Sequence, residues 1–200
     1  MIGGGCRNTS SAYFTTVSGG YTNVASSAYS TIGGGSYNCA LNTYTTVNGG
    51  NCNSAGSFGG TVGGGTNNNV NLSDYGTISG GNCNSVSTGN GITIGGGSCN
   101  TACGEVSTIS GGFQNTSSGA YSTVAGGWAN HASGESSAIL GGVGNDMCLQ
   151  DCSMIVGYAI CADRCFTTFV NNLSIKNIPS SSVGLPAGSV WSDSCVLKIV

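Results

Sequence analysis

The sequence predicts an all-β fold, a parallel β-roll or β-solenoid of 15- or 16-residue rungs, and three observations carry that expectation. The first is a β-branched residue ahead of a Gly-Gly pair: Ile2, Val17, Ile32, Val47, Val62, Ile78, Ile94, Ile109, Val124, Ile139 and Ile155, spaced by 15 or 16 residues throughout. The second is an asparagine six residues after each of the first ten anchors, from Asn8 to Asn145. The third is composition. With 37 Gly, 6 % charged and 8 % aromatic residues, the chain has too few large side chains for a thick core and too little charge for a disordered polyelectrolyte. Stacked identical rungs resolve the conflict, because each satisfies its neighbour's main-chain groups and needs only a thin apolar line inside.

Within a rung the consensus is T-(I/V)-x-G-G-x-x-N-x-A, followed by a Ser/Gly/Tyr-rich return. It reads as a short strand ending at the anchor, a Gly-Gly turn, a second short strand through the asparagine and the small residue, and a looser return. Alternation points the anchor inward and the preceding Thr outward. The outward column is Thr16, Thr31, Thr46, Thr61, Thr77, Thr93, Thr108 and Thr123, and alternation places Phe14, Tyr29, Tyr44, Tyr75 and Tyr121 on that same side. Glycine follows the anchor because the chain turns there through backbone angles that a Cβ forbids, so Gly126→Val is expected to act through strain. Asn23, Asn38, Asn53, Asn68, Asn84, Asn100, Asn115 and Asn130 form a structural ladder, in which asparagine tolerates left-handed turn geometry and stacked amides donate and accept up the column.

The repeat region is expected over residues 1–160, as about ten rungs. Near Ile155 the pattern decays, with Tyr158 and Cys161 replacing the second glycine and the asparagine. Residues 161–200 hold both prolines, Trp191 and the closing Val196-Leu197-Lys198-Ile199-Val200, and are expected to form a small β cap or trimerisation module that blocks an open sheet edge. The turn of that module is read at Leu185-Pro186-Ala187-Gly188.

Eleven cysteines is an odd number, so a complete intrachain disulfide set is excluded. Cys83 and Cys99 occupy one phase on neighbouring rungs and are candidate inter-rung cysteines. Cys148, Cys152, Cys161 and Cys165, spaced C-x3-C-x8-C-x3-C, are the candidate metal ligands, since four thiolates can hold zinc; disulfides or plain buried thiols are the other readings. His131 is the single histidine and reads as an exposed polar turn residue beside Ser133 and Glu135. The acids Asp74, Glu105, Glu135, Asp146, Asp151, Asp163 and Asp193 recur at no shared phase as pairs, so no catalytic site is expected and no cofactor either. A net charge of -3 with four Lys+Arg offers no basic patch for nucleic acid. No apolar run approaches the ~20 residues of a membrane helix, so membrane insertion is not expected.

The run Ser122-Thr123-Val124-Ala125-Gly126-Gly127-Trp128-Ala129-Asn130-His131-Ala132-Ser133-Gly134-Glu135-Ser136-Ser137-Ala138-Ile139 resembles the S-x-A-I-G-x-x-A-x-A-x-G-x-x-S head repeats of trimeric autotransporter adhesins, the YadA-like heads. Similar repeats occur in tail fibres of bacteriophages and in fibre proteins of large viruses, and the stretch from Gly184 to Val200 looks like the C-terminal ends of such fibres. The resemblance implies a left-handed β-roll, a homotrimer either intertwined or side by side, and a place outside the cell or on a virion surface. The stricter Gly-Gly-x-x-Asn phase and the abundant cysteines favour a viral or free fibre. The function expected is a stiff adhesive rod that binds a host-surface receptor or glycan and associates with itself, as a trimer or a longer filament. Two alternatives follow from the residues: an ice-binding solenoid using the Thr column, and a cysteine-based metal or redox module.

Overall fold

The computed structural model describes residues 1–173, 179, 181, 183–184, 186–187, 189–193 and 196–199. Two-residue strands alternate along the chain and segregate into two parallel sheets. One contains Thr16–Val17, Thr31–Ile32 and their equivalents, and runs on through Ala138–Val143, Met154–Tyr158 and Thr168–Val170. The other begins at Thr9–Ser10 and ends at His131–Ala132. A third line of single-residue parallel bridges links Cys6, Tyr21, Ser36, Asn51, Thr66, Asn82, Ser98, Phe113, Trp128 and Val143. Every partner is the equivalent residue one rung on, so Thr77 faces Thr93 and Ile78 faces Ile94. This is an all-β parallel solenoid with rungs of about 15 residues, and no helix occurs among the described residues.

Main-chain hydrogen bonds explain why such short strands persist. Thr16 N–H donates to Ser30 O and Val24 N–H to Asn38 O, each one rung ahead. Two positions per rung reverse the direction. Thr22 N–H donates back to Cys6 O and Tyr29 N–H back to Tyr13 O. These residues are left-handed, with φ of 54° and 59°, and that conformation flips the adjoining peptide so that its N–H points to the previous rung.

The left-handed corner is therefore the residue before the asparagine and not the asparagine itself: Tyr37, Cys52, Asn67, Cys83 and Cys99 all have φ of 55–57°. The expectation that asparagine serves the column through left-handed geometry is corrected on this point. Phe14, Tyr29, Tyr44 and Tyr75 also sit in left-handed turns, at φ of 59–60°, which breaks the alternation that placed them on the threonine face; they line the edge where the return segment turns.

The core is thin. The anchors from Val17 to Ile155 and the small residues opposite them, Ala25, Ala40, Ala55, Val70, Val86 and Ala102, are fully buried, while Ile2 at the open end is exposed and the threonines before the anchors are half-buried and outward. Small and large residues compensate: a Cβ at Gly76 would meet Val70 Cγ1 and Val86 Cγ1. The two glycines of each turn are unequal. Gly127 has φ of 93°, and a Cβ there would run into Gly142 O and the Asn130 amide. Gly126, with φ of 159°, faces open space. A side chain at Gly126 thus meets backbone strain alone, as expected, whereas at Gly127 a steric clash adds to it.

The parallel stack passes the boundary expected at residue 160. Asp146 bridges Cys161, Ala162 is buried, and Thr168–Val170 pairs in parallel with Met154–Tyr158, setting Phe169 over Ile155. Beyond it, Val190–Asp193 and Val196–Ile199 form an antiparallel hairpin. The turn expected at Leu185-Pro186-Ala187-Gly188 falls partly outside the described residues, which omit Leu185 and Gly188; there Ser189 N–H donates to Pro186 O at 3.1 Å.

Candidate binding surfaces of the rod

The asparagine column faces inward, so it is no ligand surface. Asn23, Asn38, Asn53, Asn68, Asn84, Asn100 and Asn115 are 0 % exposed and Asn130 is 1 % exposed. Each Oδ1 accepts the backbone N–H of the next asparagine, as Asn115 N–H to Asn100 Oδ1 at 2.9 Å. Each Nδ2 donates to two glycine carbonyls, as Asn100 Nδ2 to Gly96 O and Gly112 O, both at 3.0 Å. Those are the first turn glycine of its own rung and the second of the next. Asparagine is the short side chain that accepts on one atom and donates twice from the other. Its Nδ2 occupies the space beside the second glycine, so the Gly and Asn columns work as one device.

Three outward features remain. The threonine column from Thr16 to Thr123 is in strict register, flanked by small residues such as Ser18, Gly33 and Ala125. An aromatic stack lines the return edge: Phe14 and Tyr29 lie 5.1 Å apart and Tyr29 and Tyr44 4.9 Å apart, both nearly parallel, followed by edge-on contacts of Phe58 with Tyr44 and Tyr75. The parallel pairs spend their ring faces on each other, leaving edges and phenol groups to solvent. Beside this stack is a depression of about 290 Å³ lined by Asn42, Gly56, Ser57, Leu72, Asp74 and Asn90, which offers polar groups and one carboxylate.

The candidate metal ligands part company. Cys148 and Cys161 form a disulfide with Cα atoms 6.3 Å apart, whereas Cys152 and Cys165 are exposed free thiols. Two of the four sulfurs are thus bonded to each other, the disulfide reading for that pair, and no group of three metal-ligating side chains occurs among the described residues. Cys83 and Cys99 are free and exposed. Burial, with Cys52 nearby, pushes the Cys39 thiol up from its ordinary value, and burial alone pushes up Cys103. At the decayed end, hydrogen bonds from Arg164 hold the Asp163 carboxyl below the usual carboxylate range.

His131 has company that sequence neighbours do not reveal. Ser118 Oγ shares a hydrogen bond with His131 Nε2 at 3.0 Å, and Asp146 Oδ1 lies 3.6 Å from His131 Nδ1, so three consecutive rungs contribute one residue each. The order is that of a serine nucleophile, base and orienting acid. Asp146 Oδ1 is also taken by Cys148 N–H at 2.8 Å, and the amides beside the serine, Ser118 N–H and Gly119 N–H, both donate to Ala132 O. Those two amides are thus already engaged and do not provide free oxyanion donors. The group ties rungs together on an open face.

The fold and its faces define a β-solenoid rod. Neither the protein-family models nor the curated proteins compared with this sequence match it.

Proposed function

We propose that the chain is a structural and adhesive fibre module: a stiff rod, trimeric in its working form, that displays repeated side-chain columns to a host-surface receptor or glycan and has no enzymatic role. What supports the reading above all is the unbroken register of equivalent side chains from rung to rung, which builds stiffness and repeats each surface group along one axis. Eleven stacked strands at about 4.8 Å make a rod of roughly 50 Å. On this reading it acts outside the cell or on a virion surface.

The polar depression at Asn42, Asp74 and Asn90, next to Tyr44 and Tyr75 in the chain, is the part of the surface best suited to a glycan: it offers hydrogen-bonding groups with an aromatic flank. A glycan array probed with the full chain and with Asp74→Ala and Asn90→Ala tests this. Binding that the two substitutions abolish supports the reading, and binding indifferent to both overturns that placement. Sedimentation equilibrium tests the trimer, and a monomeric mass at micromolar concentration removes it.

The registered threonine column favours a second reading, an ice-binding face. Thermal hysteresis lost on Thr77→Tyr would establish it in place of adhesion.

A further inference from the structure

We propose that Cys83 and Cys99 form a two-thiolate site for a soft monovalent cation, Cu(I) by its chemistry, bridging two neighbouring rungs. The inference rests on rung geometry and not on the adhesive reading. The two cysteines stand five residues after Ile78 and Ile94, whose strands pair in register, and the residues just before them, Asn82 and Ser98, form a parallel bridge. Their backbones are alike, with φ of 55° and 56°. Both are exposed and free.

Their spacing is pinned. Cys83 N–H donates to Thr66 O and Cys99 N–H to Asn82 O, each at 2.9 Å, and the next residues are the buried ladder pair, with Asn100 Nδ2 donating to Asn84 Oδ1 at 3.1 Å. Equal conformations on stacked rungs run the two Cα–Cβ bonds parallel, so the Cβ atoms keep the rung spacing of about 4.8 Å. A disulfide wants Cβ atoms about 3.8 Å apart, closer than these pinned strands bring them. Two metal–sulfur bonds of about 2.3 Å laid end to end span about 4.6 Å, which the unaltered spacing accommodates. Thiolates select soft ions, Cu(I) among them. Binding is a simple exchange: each thiol gives up its proton as its sulfur bonds the ion, with no change of oxidation state.

Polar neighbours suit the sulfurs. Ser98 Oγ donates to Cys99 Sγ at 3.6 Å, and Cys83 Sγ lies 3.5 Å from Asn82 Oδ1. Cys52 shares the column, but Asn67 stands between it and Cys83, so it is two rungs away and out of reach. The disulfide that does form joins residues at different phases: Cys148 is nine residues past its anchor and Cys161 six past its own, an offset that lets the Cβ atoms approach.

The reduced full chain, titrated anaerobically with Cu(I) against a chromophoric Cu(I) chelator and then alkylated for peptide mapping, tests the site. The first equivalent should protect Cys83 and Cys99 together while Cys6, Cys52, Cys152 and Cys165 react. Cys83→Ser should weaken the first binding step at least tenfold and return Cys99 to alkylation; Cys99→Ser should mirror it, and Cys52→Ser should change neither. Protection of another set of cysteines first, continued protection of Cys99 in Cys83→Ser, or a Cys83–Cys99 disulfide formed on mild oxidation would each overturn the proposal. Both positions are exposed corners, and circular dichroism identical to the parent confirms that each variant keeps the fold.

Discussion

Replacing Asn100 by alanine should cost about 3–5 kcal/mol, and the structure says where the loss falls. Asn115 N–H, on a fully buried residue, loses its acceptor at Asn100 Oδ1, and Gly96 O loses the Nδ2 donor. Gly112 O keeps Ser98 N–H, and Asn84 Oδ1 keeps Asn100 N–H, so those acceptors stay partly satisfied. One stranded buried donor accounts for about 1–3 kcal/mol, and the remaining lost bonds for about 0.5–1.5 kcal/mol each. Asn8 supplies the comparison: its Oδ1 likewise accepts the N–H of fully buried Asn23, but its own bonds to Gly4 O and Gly20 O are half-exposed and water replaces them, so Asn8→Ala should cost less, about 1–3 kcal/mol. Denaturant midpoints, with hydrogen exchange at the Asn115 amide, read both losses. A change at Asn100 below about 1 kcal/mol, or equal to that at Asn8, would refute the reasoning.

Asn100→Asp keeps the acceptor for Asn115 but turns a carboxylate toward three acceptors, so only the protonated acid can donate. Its folded pKa should be raised above the unfolded value of about 3.9. Stability should then be fullest below about pH 4 and be lost as pH rises through the raised folded value, and a melting temperature that climbs with pH over that window would contradict this. Gly127→Ala should destabilise by more than about 2 kcal/mol through its positive-φ backbone and the clash with Gly142 O, and by more than Gly126→Ala, which carries backbone strain of about 1–3 kcal/mol without a clash, as denaturation of the pair will show. Tyr29→Ala removes both parallel ring contacts at the return edge and should cost about 1–2 kcal/mol in thermal unfolding, compared with almost nothing for the isolated Tyr121→Ala. A fluorophosphonate serine probe should leave Ser118 unlabelled, since its neighbouring amides are engaged; stoichiometric labelling abolished by His131→Gln would reverse that expectation.

Much of this architecture is written in the spacing. The inward anchors, the outward threonines and a column of asparagines follow from one period read with strand alternation, and the burial of Ile78, Ile94 and Asn100 beside half-buried Thr77 and Thr93 matches those directions. Alternation fails where the backbone leaves the β region. Phe14 and Tyr29 are displaced to an edge by positive φ, which no residue type there announces. The last rung escaped the period because Phe169 is aromatic and stands fourteen residues after Ile155. Ser118, His131 and Asp146 are separated by 13 and 15 residues, so they meet only once rungs are stacked and outward positions on neighbouring rungs are compared. The same comparison would have flagged the group from the sequence.

Scalar coupling across hydrogen bonds, measured by NMR on uniformly 13C,15N-labelled protein, tests the central claim most directly. The account predicts that the backbone nitrogen of each ladder asparagine couples to the side-chain carbonyl carbon of the asparagine one rung earlier: Asn38 to Asn23, Asn53 to Asn38 and Asn115 to Asn100. Couplings from those amides to main-chain carbonyls of their own segment, or amides that exchange freely with solvent, would contradict it.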